Sequence, residues 1–458
     1  PVAYADDIAA MSMVKLGSGC NLLGYYMYHG GTNPEGKLST LQESRETGYP
    51  NDLPVLSYDF NAPVREYGQL TDTWRRIRML SLFVHDYEDI LCRTVYVAQP
   101  GNPAKPEDLA SLRTALRYDP ESGSGFFFVN NYQRRYRMAE HPGTELKAYL
   151  PGDPGSETVF GTEDIHDGDY FFLPMNIKCG IGAVLKTACA TPLAVLHTAA
   201  EDGPDITADS VYVFYTKEGR DPRYVMEEGT FTDLRRGMQK ADEDADSGSG
   251  TAYFITLTEE EALHAAKLVS GGKEHLVISS GDLVSTSADG GYALRYSVKE
   301  EAGVSFKVWP DLDQAPEGFI KADVQSDPLF VEYIAFEKLV NTASACFETD
   351  SGGTGWKISG TRCEAAQQTL LLISYAGNKA ALYHNGKMAA DNFYTGQQWE
   401  VDTDAVGDND NSFSAKARIE PLYAENAVFL ECDPGFENGM ACRIDKVGTA
   451  AVFEVPLR

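Results

Sequence analysis

Apolar positions recur at helical spacing in two places near the start of the chain, and in short alternating runs almost everywhere after that. Residues 6–16, DDIAAMSMVKL, place Ile8, Met11 and Val14 three apart behind Asp6, a good N-cap, and Gly17 and Gly19 end the run. This spacing predicts a helix. The next stretch, 22-LLGYYMYHGGTN-33, carries three tyrosines, a methionine and a histidine on an apolar run, and its alternation predicts a strand over 22–29. A polar segment with turn residues at Asn33-Pro34-Glu35-Gly36 and Asn51-Asp52 follows. A second helix is predicted over 70–91, capped by Thr71, with Trp74, Ile77, Leu80 and Val84 along one face. Helix, strand, long loop and helix make an α/β pattern.

The texture changes near residue 96. The segment AQPGNPAKPED, with three prolines, reads as a linker. Beyond it, apolar runs of strand length are bounded by Gly, Asn, Asp and Pro: 125–132, 170–177, 193–199, 211–216, 275–279, 369–375, 380–386 and 426–432. Strands at this density predict β-sandwich or jelly-roll domains. Residues 240–250, KADEDADSGSG, read as an exposed acidic loop. The expected architecture is mostly β, with a short α/β portion at 1–96, β-sandwich structure at 97–325 and a jelly roll at 326–458.

Charge narrows the partners. The 458 residues carry a formal net charge of −29, which repels nucleic acid and anionic membrane. No apolar run reaches the ~20 residues that span a bilayer. An extracellular or periplasmic protein acting on a neutral ligand suits this balance. The opening Pro1-Val2-Ala3-Tyr4 reads like the middle of a longer chain, whether a mature secreted protein, a trimmed one or a proteolytic fragment. Among eight cysteines none forms Cys-x-x-Cys. Cys346–Cys363 and Cys432–Cys442 are close enough in sequence for loop-closing disulfides in an oxidising compartment, and buried free thiols are the alternative. Asp242–Asp246 begins like a calcium loop, but Gly248 comes one place late and Tyr253 stands where the bidentate glutamate belongs. Asp408-Asn409-Asp410 is a weaker match, and neither metal nor cofactor is expected.

Several motifs carry a resemblance. The stretch 25-YYMYHGGTN-33, followed by 57-SYDFNAPVREYGQL-70, resembles glycoside hydrolase family 35, the β-galactosidase family. So do 125-GFFFVNNYQR-134, 170-YFFLPMNI-177, 183-AVLKTACATPLAVL-196 and 382-LYHNGKMAADNFYTGQQWE-400, whereas roughly 200–370 matches weakly. The resemblance implies that 1–96 is the end of a TIM-barrel catalytic domain, with 22–29 its eighth strand, and that β-domains and a galactose-binding-like jelly roll follow. It implies that Tyr26 and Tyr58 contact galactose. Phe60 stands where many members have a third tyrosine, so it keeps stacking and loses one hydroxyl. These residue types suit a sugar, which offers an apolar face for aromatic rings and hydroxyls for polar tips.

By the same resemblance the catalytic glutamates precede this segment. A retaining enzyme needs two carboxyls about 5–5.5 Å apart, and we assign neither to Glu35, Glu43 or Glu66. The missing part of the barrel is expected from the same parent chain or from a separate one, and this portion alone should be inactive. A lone barrel strand should leave unpaired backbone and apolar surface. Glu66 suits bracing as well as substrate contact, His29 reads as a hydrogen-bonded strand-end residue, and Arg134, Arg135 and Arg137 read as partners of carboxylates. Two other readings stand beside the β-galactosidase: a non-catalytic carbohydrate-binding or scaffold protein using Tyr394 and Trp399 on a jelly-roll face, and a related β-glycosidase of changed sugar preference, motivated by Phe60 and the unusual 34–56 segment.

Overall fold

The computed structural model describes residues 2–34, 36, 42–152, 156–197, 210–240, 246–286, 291–350, 355–408, 410–426 and 428–457. They form a mostly β molecule with a small helical portion at one end.

The first helix, α1, runs Ala5–Gly17, one residue longer at each end than its spacing predicts. Tyr4 takes the N-cap place instead of Asp6, because the Asp7 carboxylate reaches back to accept the Tyr4 N–H at 2.8 Å. The two aspartates then anchor the helix: the Tyr170 hydroxyl donates to Asp6 at 2.6 Å and Arg134 lies 3.1 Å from Asp7. Ala9, Met13 and Leu16 are buried, while Met11 and Val14, part of the stripe that announced the helix, lie on its open side. The second helix, α2 (Asp72–Asp86), is capped by Thr71 as expected, its Oγ1 accepting the Trp74 N–H at 3.4 Å. It stops at Tyr87, and a single turn, α3 (Glu88–Leu91), completes the predicted span.

Both long helices lie on the ten-stranded sheet whose order is Thr191–His197, Ser210–Thr216, Asp246–Thr258, Tyr224–Asp233, Val184–Ala188, Asp169–Lys178, Gly125–Asn131, Arg113–Tyr118 and Val95–Ala98, with Met238–Lys240 beside Tyr224–Asp233. The contact is aromatic. Phe83 of α2 meets Phe126 edge-on at 4.9 Å and Phe172 at 4.3 Å, geometries that add to simple area burial. Gly17 ends α1 where a Cβ would sit 2.7 Å from the Phe128 ring, so only glycine allows the approach. Arg117, 1% exposed, stitches the pieces together. Its guanidinium donates to the carbonyls of Leu16, Cys20 and Leu91, to Asn21 Oδ1 and to Thr94 Oγ1 at 2.7–3.3 Å. The orphan carbonyls at the ends of two helices thus receive a cation.

A five-stranded sheet follows (Ala265–Ser270, Lys273–Ser279, Ser305–Trp309, Val331–Ala335, Phe319–Lys321). The C-terminal sandwich packs two more five-stranded sheets around Trp356, Ile358, Leu371, Leu382, Trp399 and Phe413. One runs Asp282–Ser285, Tyr292–Val298, Arg443–Leu457, Gln368–Ala376, Trp399–Asp402; the other runs Ser344–Thr349, Gly355–Thr361, Ser412–Ile419, Lys379–His384, Lys387–Phe393. Hydrogen bonding therefore crosses 325/326: Tyr292–Val298 pairs with Arg443–Leu457, and Val331–Ala335 joins the preceding sheet. No helix among the described residues is long and apolar enough to cross a membrane.

Some expectations are corrected. Residues 22–28 form no strand, since a ladder needs a neighbour and the stretch has none; pairing starts only with a His29–Val64 bridge and the two-residue strand Gly31–Thr32. The described residues of the run 426–432 form no strand either: Phe429 is largely exposed, and its backbone N–H and C=O both bond the Asn51 side chain at 3.1 Å. All eight cysteines are free thiols, so neither Cys346–Cys363 nor Cys432–Cys442 is a disulfide. In the acidic stretch 240–250, residues 241–245 lie outside the described residues, and Asp246 already opens a strand where a loop was expected. Asn409 of the second acidic motif also lies outside them.

Candidate functional site

The site is built on the loop that joins Gly31–Thr32 to α2. Gly31 pairs with Tyr58 and Thr32 with Ser57 in a two-residue antiparallel ladder. Glu66 locks it: Thr32 Oγ1 donates to one carboxylate oxygen at 2.5 Å and Ser57 Oγ to the other at 2.7 Å. Burial pushes the Glu66 carboxyl above its usual range, against the pull of those two hydroxyls. Gly30 lies so close that a Cβ would meet the Glu66 backbone nitrogen at 2.9 Å.

Asp59 shapes the next turn. Its carboxylate accepts from the backbone N–H of Asn61 at 2.9 Å and of Glu66 at 2.8 Å, and from Arg65 Nε at 3.1 Å. The turn carries Phe60 and Asn61 into the left-handed region, with φ of 47° and 54°. Asn tolerates this; a phenylalanine there costs on the order of 1–3 kcal/mol and persists only where its surroundings impose it. The ring it presents meets Tyr58 edge-on at 4.8 Å. The Tyr58 hydroxyl lies 3.2 Å from that of Tyr26, and this hydrogen bond raises the Tyr58 phenol pKa. Tyr26 is 91% exposed, so the three rings make an open aromatic patch. The crevice beside Phe60 has a volume of about 20 Å³, room for about one water, so a larger ligand must lie on the open face.

The C-terminal sandwich holds this loop. Asp391 accepts the backbone N–H groups of Val55, Leu56 and Ser57, the latter two at 3.0 Å. Glu400 lies 3.4 Å from Arg65 and accepts from Gln69 at 3.1 Å. Arg45 bonds Glu420 at 2.9 Å, and Gln368 donates to the Tyr67 carbonyl at 3.1 Å. Asp59, Glu66 and Asp391 are thus all engaged by internal donors. What remains free to meet a ligand is aromatic face and phenol hydroxyl, which is binding chemistry.

The three residues Tyr26, Tyr58 and Phe60, separated in sequence, are together. His29 contacts its neighbour's carbonyl, Gly30 O, through Nδ1 while its backbone bridges Val64. Arg134 and Arg135 both pair with Glu431, and Arg134 also with Asp7. Trp399 is corrected as a surface candidate: it is buried in the sandwich core, and half-buried Tyr394 packs against that core, each ring 6.0 Å from Tyr375. Sequence reasoning missed Asp391, Asp59, Arg65 and Glu400 as supports. All four lie inside the motifs 57–70 and 382–400, but nothing in their spacing places one motif against the other.

No family model matches the chain. Beta-galactosidase 8 of Arabidopsis thaliana is 33% identical over 132 residues, a stretch that is 29% of this chain and 13% of that protein. The chain has a distant β-galactosidase-like relationship over that part of its length.

Proposed function

We propose that the chain is the C-terminal portion of a β-galactosidase-like glycoside hydrolase of family 35, in which Tyr26, Tyr58 and Phe60 form one wall of the galactose site. The observation that carries this reading is the Tyr26–Tyr58 hydroxyl pair at 3.2 Å beside the Phe60 ring, open to solvent in the very segment that bears the family's motif. In this account residues 1–96 are the end of a TIM-barrel domain and the β-domains brace it. The outward stripe Met11 and Val14 and the exposed Leu22 and Tyr28 support it, since such surface suits barrel neighbours from the same parent chain or a second one. Catalytic glutamates belong to that remainder. The whole enzyme hydrolyses terminal, non-reducing β-galactose of a glycan by double displacement with retention, in an extracellular or periplasmic setting. The test is ¹H NMR of the sugar first released from aryl β-galactoside and aryl β-glucoside by the full natural protein. β-Galactose as first product, with the glucoside slow, supports the reading; an inverted product or a preferred glucoside overturns it.

A further inference from the structure

A second candidate surface lies far from this loop in sequence, on the outer face of the sheet formed by Ser344–Thr349, Gly355–Thr361, Ser412–Ile419, Lys379–His384 and Lys387–Phe393. It holds an open groove of about 570 Å³, within the range of small-molecule sites. One cross-strand row places Lys357 opposite Lys416, and Lys416 opposite Tyr383. Like charges directly opposite on a sheet repel. Two residues along the strand from Lys416, Arg418 lies over the Tyr383 ring at 5.0 Å. Lys416 has Asp350 at a loose 3.8 Å. Glu348 stands opposite Lys357 on the edge strand without reaching it. Neither Lys357 nor Arg418 has a carboxylate within ion-pair distance among the described residues. In a chain of net charge −29, three cations grouped this way, with only Lys416 paired to a carboxylate among the described residues, favour an anion from outside.

We propose that this groove binds an acidic saccharide, a sugar chain bearing carboxylates. The Tyr383 ring lies 5.0 Å from the Arg418 Cζ and restrains the guanidinium, whose fork suits a bidentate carboxylate. Lys357 and Lys416 supply a second cationic point whose mutual repulsion the ligand relieves. Asn385 at the groove edge offers its amide oxygen to sugar hydroxyls, while the Ser414 hydroxyl donates to Asp408 at 3.4 Å. His384 is already committed to the Ser414 carbonyl at 2.8 Å and to Asn385 at 2.8 Å, so it serves as a support. The anionic character of the ligand stands on the groove alone; the choice of a saccharide rests on the proposed glycan-processing function.

The test is isothermal titration calorimetry of the 458-residue chain with trigalacturonate, neutral galactotriose and sodium sulfate. Trigalacturonate should bind at least about tenfold more tightly than either control. Arg418→Ser and Lys357→Ser should each weaken it by about tenfold, and raised salt should weaken it further. Tyr26→Ala should leave it unchanged. The proposal is overturned if galactotriose or sulfate binds as tightly, if trigalacturonate does not bind, or if both substitutions are without effect. Galactoside hydrolysis by the full natural protein is read separately, so loss of this groove and loss of the galactosidase reading are distinct results.

Discussion

Phe60 is the residue at which backbone cost and proposed binding are most directly opposed. Its φ of 47° is unfavourable for a side chain with a Cβ, and it exposes the ring instead of burying it. Phe60→Gly should therefore change folding stability by no more than about 1 kcal/mol, because relief of strain offsets the lost Tyr58 contact and the added unfolded-state entropy. The same substitution in the full natural protein should raise KM for a β-galactoside. Urea melts and initial-rate kinetics check the two halves of this expectation. Glu66 gives a pH signature. Its folded carboxyl holds its proton to higher pH than the unfolded one does. Where both are protonated Glu66 adds no penalty; as pH rises from the ordinary glutamate value through the raised one, the unfolded chain releases its proton first and stability falls. Relative to Glu66→Gln, which does not titrate, the wild type should thus lose stability as pH rises above the ordinary glutamate value of about 4.3. Urea melts of both proteins across that rise would expose a flat difference, if there is one, and a flat difference counts against the burial argument.

At the scale of elements, one carboxylate holds the site loop from another part of the molecule. Removing Asp391 leaves the N–H groups of Val55, Leu56 and Ser57 without their acceptor, at a cost of about 1–3 kcal/mol for each one that stays buried. Asp391→Ala should accelerate amide exchange over 55–58 while leaving Gly125–Asn131 protected, a contrast that mass spectrometry resolves. Arg117→Met should destabilise by about 3–5 kcal/mol, because helix-end carbonyls lose a buried donor. Thermal melts test it, and a loss below 1 kcal/mol would mean that the helices are held by the phenylalanine cluster alone. The helices and most strands were legible because periodicity and caps are local: Thr71 and the run 125-GFFFVNNY-132 declare themselves. The strand at 22–29 misled because alternation reports which faces are apolar, whereas a strand also needs a partner. Trp399 misled because an aromatic in a short strand reads alike on either face of a sheet. Asp391 was silent because its meaning lies in three N–H groups more than three hundred residues away.

Over the whole molecule, the β-domains are both a folding platform and a clamp. The ten-stranded sheet receives α1 and α2 through Phe83, Phe126 and Phe172, while the C-terminal sandwich grips the loop of Tyr58 and Phe60 through Asp391 and Glu400. The N-terminal loop and the C-terminal sandwich thus meet at the aromatic patch, and the proposed galactose wall depends on that sandwich for its position. The measurement that tests this most directly is kcat/KM for an aryl β-galactoside in the full natural protein carrying Tyr26→Ala or Tyr58→Ala. The account predicts a fall of about tenfold to a hundredfold for each, carried mainly by KM, with the melting temperature unchanged for the exposed Tyr26. Unaltered kcat/KM in both variants would contradict it.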